Sequence, residues 1–282
     1  MEKFIEKART LVEALPFIKK FNGSTFVIKY GGSAMTDEKY KSLFIQDVVL
    51  LSLVGVKIVL VHGGGDDISG MLKKLGKESK FVDGHRVTDK ETLEVVEMVL
   101  VGKVNKEIVK NINLHGLRAL GMSGKDGNLI MAKKKKSNGH DIGFVGEVTS
   151  VNTKLLETLD RDGYIPVIAP IGVDALGNGY NINADTVAGA VAEAMKADKL
   201  IYLTDTDGVK IGGKYRHSIK IKDIAKYIKS KDITGGMLPK TMSAKAAIEA
   251  GVKKVHIING TKEHAMLLEI FTNEGIGTEI VK

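Results

Sequence analysis

Short apolar runs alternate along the chain with segments in which apolar residues recur every three or four positions. The runs predict buried strands at residues 25–29, 57–61, 165–169, 199–204 and 254–258. The periodic segments predict amphipathic helices at residues 38–54, 90–114, 186–196 and 243–250. Because the two patterns alternate, we expect βαβ units, and hence an α/β fold with a mainly parallel central sheet and helices on both faces.

The middle of the chain departs from this alternation. Residues 80–87 and 128–149 contain short strand-like segments separated by Gly84, Asn138-Gly139, Gly143 and Gly146. These segments predict antiparallel hairpins added to the core sheet. A glycine-rich stretch at residues 172–179 then separates two halves, and we place a boundary there between lobes of residues 23–174 and 175–282.

Residues 1–22 predict a leading amphipathic helix. Its apolar stripe consists of Phe4, Ile5, Ala8, Leu11, Val12, Leu15 and Ile18. Pro16 interrupts the pattern and is expected to kink the helix. Such a helix packs either on its own domain, which the pattern alone favours, or on another subunit, where it would be an oligomerisation element.

Composition narrows the class of protein. The 282 residues include no cysteine, which excludes a disulfide framework, a zinc ribbon and a cysteine nucleophile. The formal charge is +8, but aromatic residues make up only 5% and Lys133 to Lys136 form the one dense basic run. Anionic small molecules therefore fit the charge better than nucleic acid does. With no apolar run near ~18 residues and no secretory signal, a cytoplasmic protein without membrane contact is expected.

Familiar phosphate-binding motifs are missing, but two glycine turns follow predicted strands. The sequence contains no G-x-x-x-x-G-K-[ST], no G-x-G-x-x-G after a strand and no kinase H-R-D. Lys29-Tyr30-Gly31-Gly32-Ser33 and His62-Gly63-Gly64-Gly65 can each turn backbone N–H groups toward an anion. Taken alone, each of these segments is equally consistent with a tight turn at the end of a strand. His62 is interpreted as a structural histidine rather than a general base. Together they predict an anion site at the carboxyl edge of the sheet.

Three further positions carry candidate chemistry, each with a plain alternative. Lys240, after Pro239 at the start of a helix, either meets a phosphate there or is an exposed lysine. Asp185 either caps a helix, as Asn183 also can, or holds phosphate-binding lysines in position. Residues 204–209 either contact a nucleotide or form a turn, and their two alternating carboxylates are too weak a ligand set to assign a protein-bound metal.

These motifs, taken together, resemble the amino acid kinase family, and within it the members that phosphorylate N-acetyl-L-glutamate in arginine biosynthesis. The similar stretches are K-Y-G-G-S-A-M (29–35), H-G-G-G (62–65), G-H-R-V-T-D (84–89), N-I-N-A-D (181–185), L-T-D-T-D-G-V (203–209), G-G-M-L-P-K (235–240) and G-I-G-T (275–278). They cover almost the whole chain, and their occurrence in this order is highly specific.

The resemblance implies an αβα three-layer sandwich whose N-terminal lobe binds N-acetyl-L-glutamate and makes the dimer contact. The C-terminal lobe would bind ATP, which carries Mg²⁺ with it. By the same resemblance, Lys29 and Lys240 neutralise the transferring phosphoryl group and Asp185 organises them. The acceptor would be held by Gly64, Gly65, Arg86 and Asn181. The nucleotide would be held by Gly31, Gly32, Thr204, Asp205, Asp207, Gly208, Val209 and Thr234.

The chemistry of the residues agrees with these implied roles. A carboxylate acceptor is already a nucleophile at neutral pH, so catalysis needs alignment and charge neutralisation rather than a base. The planar fork of Arg86 suits a second carboxylate on the acceptor. One departure is Asp66-Asp67, where members of the family commonly carry proline after H-G-G-G. Two acids there would weaken an anion site unless they point away.

The leading helix, with E-A-L-P-F-I at 13–18, also resembles the N-terminal extension of arginine-inhibited members, which assemble as hexamers from three dimers. His256, Glu269 and Gly275 match the effector site of those members. The resemblance therefore implies L-arginine as an inhibitor and a homo-oligomer. Two alternatives stay open: a related kinase acting on glutamate, aspartate or carbamate, and a non-catalytic sensor of nucleotide or arginine.

Overall fold

The structure, a computed structural model, describes residues 1–137 and 140–282, so the turn predicted at Asn138-Gly139 lies outside the described residues. The helices in chain order are α1 Glu2–Phe21, α2 Glu38–Leu53, α3 Gly65–Lys74, α4 Lys90–Glu97, α5 Asn105–Leu114, α6 Thr153–Arg161, α7 Ala184–Ala194, α8 Ile221–Lys229, α9 Met237–Glu249 and α10 Ala265–Phe271. The strands are β1 Thr25–Tyr30, β2 Lys57–His62, β3 Phe81–Val82, β4 His85–Arg86, β5 Arg118–Ser123, β6 Ile130–Ser137, β7 His140–Val151, β8 Tyr164–Ala169, β9 Ile171–Val173, β10 Gly179–Asn181, β11 Lys199–Thr204, β12 Lys210–Ile211, β13 Lys214–Tyr215, β14 Ser218–Lys220, β15 Lys254–Asn259 and β16 Thr278–Val281.

Within the described residues, the central sheet has eight strands in the order β14-β16-β15-β11-β1-β2-β8-β5. Neighbouring strands are parallel except for β15 and β16, which pair antiparallel. All five predicted strands are confirmed, and they occupy adjacent central positions of this sheet. Their continuous apolar runs are typical of parallel strands covered by helices on both faces.

Alternate residues of each central strand enter two different hydrophobic cores. On β1, Phe26 and Ile28 join a core with α2, α3, α5 and α10, whereas Val27 joins a core with α6, α7, α8 and α9. Successive side chains of a strand point to opposite faces, so one sheet separates two helical layers. The predicted αβα three-layer sandwich is confirmed.

The prediction that the middle hairpins extend the core sheet is wrong. Strands β6 and β7 do pair antiparallel, but with β9 and β10 they close a small separate barrel. Close packing inside this barrel requires glycine: a Cβ on Gly146 would lie 2.6 Å from the Cβ of Tyr180, and one on Gly172 would lie 2.7 Å from the Cβ of Ala132. Gly146 and Gly172, two of the glycines that the sequence pattern interprets as breaks, therefore allow side chains to pack closely in the barrel.

Two predicted helices differ in detail from the structure. The segment predicted at 90–114 is continuous, but a π-helical stretch, Met98–Val104, joins α4 to α5. The segment predicted at 243–250 belongs to helix α9, which begins at Met237 and holds Pro239 and Lys240 in its first turn. Proline is tolerated there because its missing N–H has no partner in a first turn.

Helix α1 contains Pro16 and attaches to the fold through its C-terminal end. Phe17 packs edge-to-face on Phe271 with ring centroids 6.4 Å apart, and Phe21 packs on Phe26 at 5.5 Å. The earlier apolar side chains are exposed: Phe4, Ile5, Leu11, Val12 and Leu15. Over the residues that the structure describes, no helix combines the length and hydropathy needed to cross a bilayer.

Candidate active site

Both glycine turns leave the sheet side by side. Tyr30, at the end of β1, pairs in register with His62, at the end of β2, so Gly31 and Gly63 follow at the same level. The N–H of Gly63 donates to the Tyr30 carbonyl at 2.7 Å, which ties the second turn to the first. The carboxyl ends of the strands therefore form the edge predicted from the sequence.

Asp185 lies between the two predicted lysines. Lys240 Nζ donates to Asp185 Oδ2 at 2.6 Å, and Lys29 Nζ lies 3.2 Å from Oδ1. Among the described residues Oδ1 has no hydrogen-bond donor, so the Lys29 contact is an ion pair without an aligned hydrogen bond. The three side chains are 7 to 16% exposed. One carboxylate between two ammonium groups leaves an excess positive charge at the turn.

Burial and charge act in opposite directions on this cluster. Burial alone would raise the pKa of Asp185, but the charges of Lys29 and Lys240 outweigh it and hold that pKa below the ordinary value. Burial lowers the pKa of Lys29, with Asp185 opposing and Lys240 adding to the shift. An anionic phosphate placed here would relieve the repulsion between the lysines.

The structure decides which residue caps α7. The Asn183 side chain accepts from the N–H groups of Asp185 and Thr186, so Asn183 is the cap and the Asp185 carboxylate is free for the lysines. The Asp185 carbonyl accepts from Tyr202 at 3.3 Å and from Ser243 at 3.2 Å. Sequence reasoning missed both, although a tyrosine in an otherwise apolar buried strand signals a hydroxyl that needs a partner.

Gly31 leaves space for the Lys29 side chain. A Cβ at Gly31 would lie 2.6 Å from Lys29 Nζ. The backbone of Gly31 is extended, with φ −178°, so glycine is required there for space and not for conformation. A larger residue would displace the ammonium group from Asp185.

A cavity of about 200 Å³ adjoins this cluster on the side of the second turn. It is lined by the predicted acceptor residues Gly64, Gly65, Arg86 and Asn181 and reaches Ala184, next to Asp185. Arg86 donates to the Gly65 carbonyl at 3.0 Å and to Ser69 Oγ at 2.9 Å, so its guanidinium is held in place. The four predicted acceptor residues are therefore brought together.

Asp66 and Asp67 do not line that cavity. They lie in the first turn of α3, where the helix dipole favours acids, and they face a separate hollow that also contains Lys74 and Lys103. Lys103 Nζ pairs with Asp67 Oδ1 at 2.6 Å. The structure thus directs both carboxylates away from the acceptor side.

Most residues predicted to bind the nucleotide lie at or just after the carboxyl end of β11, and Thr234 lies before α9. They differ in how far their side chains are exposed. Thr204 Oγ1 donates to Asp205 Oδ1 at 3.1 Å, and Asp207 accepts from Asn259 at 2.8 Å. Gly208 has φ +125°, and Val209 is fully buried with its N–H bonded to Thr278 Oγ1. Thr234 is exposed. Gly31 and Gly32 belong to the first glycine turn.

The predicted effector residues also meet. Glu269 Oε1 lies 2.6 Å from His256 Nδ1, and Gly275 packs against the Glu269 carboxylate, where a Cβ would lie 2.7 Å from Oε2. Lys199 Nζ contacts His256 Nε2 at 2.7 Å, a partner that sequence reasoning missed. Burial lowers the pKa of Lys199 to about 8. These residues line a cavity of about 330 Å³ that also contacts Phe17 and Phe21 of α1.

Acid conditions should test the burial of His62. Burial lowers its pKa to about 4, against about 6.5 in an unfolded chain. The unfolded state therefore binds a proton first as pH falls, and the folded state should lose about 2 kcal/mol of stability between pH 7 and pH 5. Urea unfolding at both pH values should show this loss, and His62→Gln should reduce the pH dependence by that amount. The exposed His115→Gln serves as control, and an unreduced dependence in His62→Gln would contradict the assignment.

No group of three or more His, Asp or Glu side chains in the described part of the chain is arranged to hold a metal ion. The site is instead a buried cluster of one acid and two lysines beside two glycine turns. Such a cluster is suited to an anion.

The sequence and structure of the chain are similar to those of known proteins. The model of the amino acid kinase family matches residues 24–259. The acetylglutamate kinase of Pelobacter propionicus is 55% identical over 292 residues, covering 100% of both chains, and that of Geotalea daltonii is 56% identical over 290 residues, covering 99% of both. The N-acetylglutamate synthase from Neisseria gonorrhoeae, complexed with coenzyme A and N-acetyl-glutamate, has a TM-score of 0.87 at 26% identity, over 98% of this chain and 63% of the synthase. With a family model over most of its length and full-length relatives at this identity, the chain belongs to the amino acid kinase family.

Proposed function

We propose that this chain transfers the γ-phosphoryl group of ATP to the γ-carboxylate of N-acetyl-L-glutamate, forming N-acetyl-L-glutamyl 5-phosphate in arginine biosynthesis. Relatives named acetylglutamate kinase match it at about 55% identity over the full length. The observation that carries the proposal is the Lys29–Asp185–Lys240 cluster, which adjoins the acceptor cavity. This arrangement supplies positive charge where a phosphoryl group would pass to a carboxylate.

The reaction needs no proton transfer from the protein. An oxygen of the acceptor carboxylate forms a bond to the γ-phosphorus as the bond to the β,γ-bridging oxygen breaks, and ADP leaves with that electron pair. Lys29 and Lys240 neutralise the negative charge on the transferring group, and Asp185 keeps both ammonium groups in place. Mg²⁺ bound to ATP adds charge neutralisation on the phosphates.

The two halves of the chain divide the substrates in this proposal. Most of the acceptor site lies in residues 23–174: the N–H groups of Gly64 and Gly65 face its carboxylate and Arg86 holds the remainder, together with Asn181 from the second half. Residues 175–282 bind most of the nucleotide, and Gly31 and Gly32 in the first turn of the other half contact its phosphates. The nucleotide side would consist of Thr204, Asp205, Asp207, Gly208, Val209 and Thr234. The enzyme would act in the cytoplasm.

A coupled ADP-release assay tests the choice of acceptor. N-acetyl-L-glutamate, glutamate, aspartate and carbamate are compared at equal concentration with MgATP. We expect N-acetyl-L-glutamate to give the highest kcat/KM. Equal or greater turnover with unacetylated glutamate would defeat this choice. Nucleotide binding without turnover of any acceptor would favour the sensor.

The proposal includes inhibition by L-arginine at the cavity around Glu269. That cavity carries acids, Glu269, Glu274 and Glu279, and also lysines, Lys20, Lys199 and Lys254. Both signs of charge suit an amino acid that has a carboxylate and a cationic side chain. We expect Glu269→Gln to raise the arginine concentration for half-inhibition by at least tenfold, since a charged hydrogen bond contributes about 1.5–3 kcal/mol. The exposed Glu249→Gln on α9 is the control, and an unchanged arginine response in Glu269→Gln would refute the site.

Helix α1 would join dimers into a hexamer in the same proposal. Its exposed apolar side chains support an intermolecular contact, and its Phe17 and Phe21 contact the cavity of the effector cluster. Deleting residues 1–20 is expected to convert a hexamer to a dimer and to weaken arginine inhibition. Light scattering measures the mass, and an unchanged hexamer would show that α1 is not the link.

A further inference from the structure

His62 and Asn105 form a buried polar pair behind the second glycine turn. Both are 0% exposed. The Asn105 side-chain amide approaches His62 Nε2 at 3.2 Å and donates to the Val167 carbonyl at 2.8 Å. Its oxygen accepts from Lys106 Nζ at 3.3 Å. Neither residue lies among those that contact ATP or the acceptor in the proposed reaction.

The hydrogen bonds determine where the proton of His62 lies. His62 Nδ1 is 2.7 Å from the carbonyl oxygen of Gly63. A carbonyl only accepts, so Nδ1 carries the proton and donates it. Nε2 of the neutral ring then accepts from the Asn105 amide. In this one arrangement both amide hydrogens of Asn105 and both nitrogens of His62 have partners.

Hydrogen bonds fix the orientation of the peptide groups on both sides of Gly63. Its N–H donates to Tyr30 and its carbonyl accepts from the His62 ring, each at 2.7 Å. Gly64 follows with φ +149°, a conformation that side chains rarely adopt. Within the described residues, the N–H groups of Gly64 and Gly65 have no hydrogen-bond acceptor, and both residues line the acceptor cavity. The Gly63 carbonyl and the Gly64 N–H belong to one planar peptide group and point in opposite directions, so holding the carbonyl fixes the Gly64 N–H. The Gly65 N–H is then placed relative to it by the backbone dihedrals of Gly64.

The π-helical stretch Met98–Val104 places Asn105 in this arrangement. Leu100 and Val104 of the stretch pack on Gly64, where a Cβ would lie 2.6 Å from Leu100 Cδ2. Asn105 comes directly after it. A π-turn inserts about one residue, so regular α-helix here would rotate the next side chains by about 100°. Across the core, Gly121 leaves the space for the amide, because a Cβ there would lie 1.8 Å from Asn105 Oδ1.

We infer that His62 and Asn105 are positioning residues for the acceptor, which hold the Gly63 carbonyl so that the N–H groups of Gly64 and Gly65 point into the acceptor cavity. The inference rests on the proposed function only in taking the occupant of that cavity to be a carboxylate acceptor. His62 acts as a fixed hydrogen-bond relay between Asn105 and the turn, and does not exchange protons with substrate.

The state of His62 is measured first, in the unmodified full-length protein. ¹⁵N NMR of histidine-labelled protein distinguishes protonated from unprotonated ring nitrogens. At pH 7 we expect a neutral His62 with the proton on Nδ1 and a hydrogen-bonded, unprotonated Nε2. The Nε2–H tautomer, or a charged ring, would overturn the inference. This measurement needs no substrate, so it stands even if none of the acceptors is turned over and the proposed function fails.

Steady-state kinetics then distinguish a role of Asn105 in positioning the acceptor site from a role in stability alone. Asn105→Ala removes the donor to His62, and we expect KM for the acceptor to rise about tenfold while KM for ATP stays within twofold. Ile112→Ala is the matched control, because Ile112 is equally buried on the same helix but contacts the hydrophobic core. It should leave both KM values within twofold for the folded enzyme.

If Asn105→Ala does not fold, Asn105→Ser, which retains one donor, is measured in its place. We expect a smaller rise in the KM for the acceptor. An unchanged KM for the acceptor, or equal rises in both KM values, would overturn the inference. The split between the two substrates is the deciding result, because a loss of stability alone lowers the amount of active enzyme and leaves both KM values unaltered.

Discussion

Replacing Lys240 by alanine is expected to lower kcat by about 10²-fold or more while the protein stays folded. Lys240 Nζ is 2.6 Å from Asp185, and in the proposed reaction it faces charge that is greatest in the transition state. Lys29→Ala should give a loss of the same order. Stability should change little, because either variant leaves Asp185 with one lysine partner. ADP release measures kcat, and thermal unfolding by circular dichroism measures folding.

Lys245→Ala is the matched control for this experiment. Lys245 lies on the same helix α9, but its ammonium group pairs with the exposed Glu249 at 3.6 Å. Exposed pairs of this kind contribute about 0–1 kcal/mol, so kcat and stability should both stay near the values of the unmodified protein. Near-normal turnover in Lys240→Ala or Lys29→Ala would refute the role of that lysine.

Removing Asp185 should affect stability as well as activity. Asp185→Ala leaves the ammonium groups of Lys29 and Lys240 buried beside each other, and losing one partner of a buried ionic group costs about 3–5 kcal/mol. We expect a destabilisation of this order in urea unfolding at pH 7 and a fall in kcat of about 10²-fold or more. Both effects follow from a single carboxylate that neutralises and orients two lysines.

The pH dependence of that stability follows from the pKa of Asp185. Burial opposes the shift, but the two lysines hold the folded pKa below the ordinary value. A carboxylate with a lowered pKa contributes its stability above the unfolded pKa of about 3.9 and loses it as pH falls through the folded pKa. The difference between Asp185→Ala and the unmodified protein should therefore persist from pH 8 down to about pH 4.

Asp160→Ala is the control for stability. Asp160 pairs with Lys57 at 3.0 Å at the opposite edge of the sheet, where both side chains are 30% exposed or more. Its loss should cost no more than about 1 kcal/mol. If Asp185→Ala proved as stable as Asp160→Ala, the two lysines would not both be charged and buried around Asp185.

Two features of the fold were not predicted from the sequence: strand β5 and the closure of the small barrel. Strand β5 was missed because it lies at the sheet edge, so its apolar run is broken by exposed residues and by Gly121. Gly121 is needed for the Asn105 side chain, a contact that no local pattern reports. The hairpins were recognised, but their separation from the core sheet depends on packing of β6 and β7 against β9 and β10, which follow only after α6 and β8.

The sequence motifs identified the charged residues and glycines of the site, but not the hydrogen bonds and ion pairs that hold them in position. Lys29, Lys240 and the two glycine turns carry local signals because each lies at the end of a strand or in the first turn of a helix. Ser243, which binds the Asp185 carbonyl together with Tyr202, has no such signal. The competition between Asn183 and Asp185 for the helix cap was settled only by the hydrogen bonds to N–H groups.

Apolar periodicity and glycine placement were enough to determine the αβα layers, the central strands and the edge where the chemistry lies. They suffice because burial of a strand or a helix face is a property of neighbouring residues. The tertiary structure decided the pairing of Lys240 with Asp185, 55 residues apart, and of His62 with Asn105, 43 residues apart. Ion pairs and hydrogen bonds depend on separations of about 3 Å between atoms, and folding alone brings such residues together.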